Sequence, residues 1–244
     1  YILVTKMSKF TLKERFEKAL KGEALDTVPV CSVTQTGTVE LMEMTGAYWP
    51  QANFNADKMA ALALAGYEIA GFENVRCPFD ITVLAETLGC TIDEGSIDMQ
   101  PYITDFPCKN EEDVKNITVP DSLLESKRTS VVLEAVEILD EKVGETVPVI
   151  AGVMGPAGLA SMLAGIKNYL KWFVKSPEVV EELMEVLTDS CIEYANGLLE
   201  RGAHVITLID SEAGPDIISP QMFEESVFPL YRKFCRKVKG LKVL

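Results

Sequence analysis

The stretch VPVIAGVMGPAG, residues 147–158, decides the fold. Its first eight residues are apolar without a break, too few for a membrane span and too uniform for a half-exposed strand. Such a run suits a strand buried on both faces, which is the signature of a parallel sheet covered by helices. It ends in glycine and proline, a loop that brings bare backbone to the strand end. HVITLID (204–210) reads the same way. VPVCSVTQ (28–35), ENVRCPFDI (73–81) and LKVL (241–244) complete a set of five predicted strands.

Helical patterns lie between them. Thr11 to Leu20 carries Leu12, Phe16, Ala19 and Leu20 at helical spacing, with Gly22 beyond. Thr38 to Thr45 stops at Gly46, and an alanine- and leucine-rich helix capped at Asn55 or Asp57 stops at Gly71. Residues 82–90 are helix-like, 90–103 is a polar excursion with hairpin character, and Val132, Ala135, Val136 and Leu139 form one apolar helix face. Ser176-Pro177 and Ser219-Pro220 start helices that run to about Arg201 and Lys239. Strand and helix alternate, so the fold class is α/β. An open doubly wound sheet and a (β/α)8 barrel both fit. A complete barrel needs roughly 250 residues. With five strands in 244 residues, a barrel would be truncated to about five of its eight strands.

In either arrangement function sits at the C-terminal ends of the strands. That rule selects Gln35 after the first strand and Arg76 and Asp80 at the second. It adds Met154 and Gly155 after the third, and Asp210 and Ser211 after the fourth. Asp210 and Asp80 are the expected catalytic carboxylates; the others are expected to contact substrate. The competing reading is that Asp210 caps a loop or pairs with Arg76, and that Arg76 neutralises Asp80. His204, the only histidine, begins its strand at the opposite end and is expected to be structural. That removes Ser-His-Asp and Cys-His chemistry, and no zinc site of the usual ligand spacing is present.

The net charge is −14, so nucleic acid and anionic membranes are unsuitable partners. No apolar run reaches membrane-spanning length. Cys31, Cys77, Cys90, Cys108, Cys191 and Cys235 form no CxxC pair and read as reduced thiols of a cytoplasmic protein. Met7 opens a natural beginning, so residues 1–6 are expected to be a non-native leader, and residues 7–244 a single barrel domain incomplete at its C-terminus.

Several stretches resemble the uroporphyrinogen decarboxylase superfamily: LKERFEKALKGEALDTVPV (12–30), PFDITVLAETLGCTID (78–93) and DSEAGPDIISPQMFEESVFPLYRKF (210–234). VPVCSVTQTGTVELMEMTGAYWP (28–50) and LAETLGC (84–90) are similar to its methylcobamide:coenzyme M methyltransferase branch. The resemblance spans Met7 to Leu244. It implies the (β/α)8 TIM barrel and transfer of a methyl group from a methylated corrinoid protein to the thiol of coenzyme M in methanogenesis. It also implies zinc as thiol activator, with a His-x-Cys motif and a later Cys falling beyond residue 244. The decarboxylases carry an arginine-rich motif after the first strand, where this chain reads SVTQTGT (32–38), without arginine. That departure disfavours the alternative of a tetrapyrrole decarboxylase. A non-catalytic homologue that only binds a corrinoid protein is the remaining alternative. Asp80 matches the aspartate that binds the pyrrole nitrogens in the decarboxylases.

Overall fold

The computed structural model describes residues 9–34 and 37–244. The expected leader, residues 1–6, and Gln35 lie outside the described residues. Four strands form one parallel sheet in the order β1 (Val75–Cys77), β4 (Val149–Met154), β5 (Val205–Ile209) and β6 (Leu241–Val243). Between β1 and β4, β2 (Thr91–Asp93) and β3 (Tyr102–Asp105) form the antiparallel hairpin expected in the polar excursion. Parallel strands that follow one another in chain order, with helices between, build the arc of a (β/α)8 barrel. A doubly wound sheet instead reverses its order at a switch point.

The predicted first strand is corrected. Residues 28–34 run beside β1 without a strand ladder. Pro29 has no N–H to offer, and side chains substitute for the missing backbone bonds. Ser32 N–H donates to Asn74 Oδ1 at 2.8 Å, and Asn74 Nδ2 donates back to the Ser32 carbonyl at 2.9 Å. One backbone bond, from Glu73 N–H to the Val30 carbonyl (2.7 Å), completes the seam. Within 73–81, the strand covers Val75–Cys77 and a loop follows it.

The helices that matter for the site are α1 (Leu12–Leu20), α6 (Lys127–Val143), α7 (Pro156–Ala164), α8 (Ile166–Lys175), α9 (Pro177–Glu200) and a final pair, α10 (Pro220–Met222) and α11 (Phe228–Lys237). The last two are joined by a π turn, Phe223–Val227. α7 is a correction too: MGPAG reads as a loop, yet the helix starts at Pro156, where the missing N–H costs nothing. The expected cap glycine holds at Gly46, with φ of 70° after α2 (Val39–Thr45).

Two apolar layers result. The larger lies between sheet and helices. The smaller joins Phe16, Ile150 and Val205, with Cys31, Val33, Leu241 and Val243 against them. These residues come from α1, four strands or strand-like segments, and one side of the sheet, so they are the barrel interior. α1 closes its N-terminal end: Lys13 N–H bonds the Thr146 carbonyl, just before β4. His204 sits at that same closed end, as expected, accepting from Val149 N–H at 3.0 Å through Nδ1, with Asp140 3.3 Å from Nε2. Burial, and Lys13 beside it, keep its pKa below the usual histidine value.

Candidate active site

The strand-end candidates separate into two groups. Arg76, Asp80 and Met154 line one small cavity with Gly152 and Tyr194. Its volume is about 10 Å³, room for about one water. Asp210, Ser211 and Gly155 form the other group, around the start of α7. No hydrogen bond among the described residues joins Asp80 to Asp210.

Asp80 is 2% exposed and fully engaged. Its Oδ1 accepts from Thr82 N–H (2.8 Å) and Thr82 Oγ1–H (2.7 Å), and its Oδ2 pairs with Arg128 Nη2 at 2.8 Å. Arg128 is the partner that the sequence reading assigned to Arg76. It also holds Glu86 at 2.6 Å and stacks on the Phe54 ring, 4.2 Å from its centroid. Arg76, 3% exposed, donates to the Pro78 carbonyl and lies so close over Gly152 that a side chain there would collide with its guanidinium. Burial lowers its pKa from the usual arginine value. Beside it, the buried Tyr194 hydroxyl has no hydrogen-bond partner among the described residues.

Asp210 is partly buried, and α7 explains its placement. Gly155, the residue before that helix, has no side chain to cap it. Asp210 supplies the cap from β5: Gly158 N–H donates to Oδ1 at 2.5 Å and Ala157 N–H to Oδ2 at 3.2 Å. A helix N-terminus favours a negative charge there. The carboxylate needs Gly155 and Gly158, since a Cβ at Gly155 would collide with it and one at Gly158 would come within 3.2 Å. A third donor is Tyr231, whose hydroxyl reaches Oδ2 at 3.0 Å. Burial outweighs these bonds and pushes the Asp210 pKa up to about 6, with Glu212 adding to the rise. Asp210 thus caps helix α7, in place of the loop cap weighed in sequence, and carries a raised pKa at a strand end. Ser211 Oγ donates to Glu212 at 2.9 Å. Met154 is buried, with its carbonyl facing Cys191 Sγ at 3.2 Å, and Gly155 N–H donates to the Ile209 carbonyl at 2.7 Å.

Sequence reasoning missed Arg128, Tyr231 and Tyr194. It also missed a groove of about 640 Å³ whose walls are Ala213, Pro215, Ile218, Pro220, Phe223 and Phe228. The groove opens on the loop that follows β5, three residues past Asp210.

Metal binding is tested by the donors at hand. Among the described residues no three His, Cys, Asp or Glu side chains are grouped to hold a metal ion. Burial pushes Cys31, Cys77 and Cys90 up to about 12 and Cys108 to about 11. Without a metal these thiols are protonated, and among the described residues none of them is grouped with two further potential ligands. The described residues do not fit a zinc centre.

A barrel arc with buried carboxylates at the C-terminal ends of its strands defines an enzyme-type site. The chain belongs to the uroporphyrinogen decarboxylase (URO-D) family, whose profile matches residues 11–243. It falls in the branch of the methylcobamide:CoM methyltransferases. It is 45% identical over 238 residues to methylcobamide:CoM methyltransferase MtaA of Methanosarcina barkeri, covering 98% of this chain and 70% of that protein. Against methylcobamide:CoM methyltransferase MtbA of Methanosarcina acetivorans it is 38% identical, covering 97% and 69%. A solved methyltransferase from Methanosarcina mazei superposes with a TM-score of 0.93 at 44% identity, over 97% of this chain and 69% of that one. The uroporphyrinogen decarboxylase of Myxococcus xanthus is more distant, at 26% identity. Among the described residues no helix is long and apolar enough to cross a membrane.

Proposed function

We propose that this chain carries a methyl group from a methylated corrinoid protein to the thiol of coenzyme M, as a step of methane formation. The observation that carries the reading is the similarity of nearly the whole chain to enzymes of that name, at 45% against 26% for a decarboxylase. The described part of the segment after α1 supports it, since residues 28–34 offer no arginine to grip a polycarboxylate.

In this reading the thiol loses its proton and its sulfur attacks the methyl carbon. The new bond is S–C. The Co–C bond breaks, and its electron pair stays with the cobalt of the donor. Asp210 takes the thiol proton: a carboxylate with a pKa of about 6 is ionised at neutral pH and close enough to it to act as a base. Asp80, Arg76 and Met154 shape the floor of the mouth, Gly155 lets the carboxylate sit against the backbone, and Ser211 lines the rim. Zinc activation of the thiol is the finer expectation. The described residues do not provide its ligands, so no step passes through it.

The experiment mixes the protein with methylcobalamin and coenzyme M, with and without added zinc. Methyl-coenzyme M is read by NMR and donor loss by absorbance. Thioether formation above the protein-free rate supports the reading. Carbon dioxide release from uroporphyrinogen, without thioether, would replace it with the decarboxylase alternative.

A further inference from the structure

We propose that Tyr231 is the positioning residue that holds the Asp210 carboxylate as acceptor of the thiol proton; this rests on the methyl-transfer reading above. The assignment starts from how Asp210 is held. Two of its three donors are peptide N–H groups of α7, fixed by the helix. The Tyr231 hydroxyl, 3.0 Å from Oδ2, is the side-chain donor.

Tyr231 reaches this place because of the π turn. Around an unbroken α-helix, Phe223 and Tyr231 would stand about 80° apart. A π turn widens each step of the spiral by about one residue per turn, which brings positions eight apart back onto one side. The two rings accordingly meet edge to face, 5.8 Å apart at 82°. Phe228, on the other side of the turn, lies 6.3 Å from Phe223. A row of aromatic rings thus runs from the groove wall to the Asp210 carboxylate. A π turn that aims one hydroxyl at one carboxylate matches the placement of such turns at functional sites.

The other titratable groups facing Asp210 are Glu212 in the turn after β5, Tyr169 on α8 and Cys191 on α9. Glu212 raises the Asp210 pKa, while burial keeps both Tyr169 and Cys191 protonated. Tyr231 therefore opposes burial with a direct bond to the charged form. Removing that donor must raise the pKa of Asp210.

Tyr231→Phe tests this, since it keeps the ring against Phe223 and removes only the hydroxyl. The Asp210 titration is followed by carbon NMR in protein labelled at aspartate carboxyls, with Asp210→Asn to assign the signal. The expected result is a midpoint about one pH unit higher, and an acid limb of the methyl-transfer rate that moves with it while KM for coenzyme M holds. An unmoved midpoint overturns the assignment, even where the rate falls, because a structural role alone does that. If protein that also carries the ligands expected beyond residue 244 methylates no thiol, the methyl-transfer reading fails separately, and the NMR midpoint still decides whether Tyr231 holds Asp210.

Discussion

The Arg128 guanidinium lies 2.8 Å from the Asp80 carboxylate, and the two side chains are 3% and 0% exposed. The pair joins α6 to the loop after β1. Removing one member leaves the other charged and buried, which costs about 3–5 kcal/mol. Arg128→Met is therefore expected to lower stability by that amount in urea unfolding. Adding Asp80→Asn should recover part of the loss, because it removes the stranded charge. Equal losses in the single and double variants would show that the pair is not the cause.

Gly155 has ordinary negative φ, so alanine there suffers no backbone strain. Its effect must come from the clash with the Asp210 carboxylate. Gly155→Ala should cost about 1–3 kcal/mol and abolish methyl transfer. In an Asp210→Gly background the same substitution should be close to neutral in thermal melts. Additive losses would place the cost elsewhere.

The Asp210 pKa, raised from 3.8 to about 6, fixes a pH trend. The folded chain binds this proton more tightly than the unfolded chain. Its contribution to stability is complete below about pH 3.8 and is lost as pH rises through about 6. The melting temperature of Asp210→Asn, relative to the unmodified protein, should therefore become more favourable from pH 4 to pH 7. A difference that stays flat across that window would mean that Asp210 titrates normally.

Thiol chemistry gives an independent check of burial. Cys77, Cys90, Cys108 and Cys191 are buried, whereas Cys31 and Cys235 are only partly covered, with the Cys31 thiol pushed up to about 12 by burial. In native protein at pH 8, iodoacetamide should label Cys235 first and spare the four buried thiols until denaturant is added. Early labelling of Cys191, which lies behind Met154, would contradict the packing of α9 on β4.

The parallel strands were legible because the apolar run at 147–154 and the nearly apolar one at 205–209 have few other uses in a chain this size. Asp210 was legible from the strand-end rule alone. Arg128 was not, since nothing local to α6 points to a carboxylate 48 residues earlier. Tyr231 was hidden for a different reason: regular helical spacing puts it on the wrong side, and only the π turn corrects the phase. α7 was hidden because its cap comes from another strand. The first segment misled in the opposite direction. Its β-branched residues suit a strand, but Pro29 and the Asn74 side chain take over the pairing.

That seam has a mechanical meaning. A barrel wall is ordinarily a continuous hoop of backbone hydrogen bonds, in which each stave is tied at every second residue. Here the stave at 28–34 is tied to its neighbour largely through Asn74, whose single amide grips both polar groups of Ser32. Parting at this line would leave the ladder that joins β1, β4, β5 and β6 in place. Such parting would wet Cys31 and Val33, and through them the interior packed around Ile150 and Phe16. The barrel arc therefore has a joint held by two consecutive residues, Asn74 gripping Ser32 and Glu73 gripping Val30.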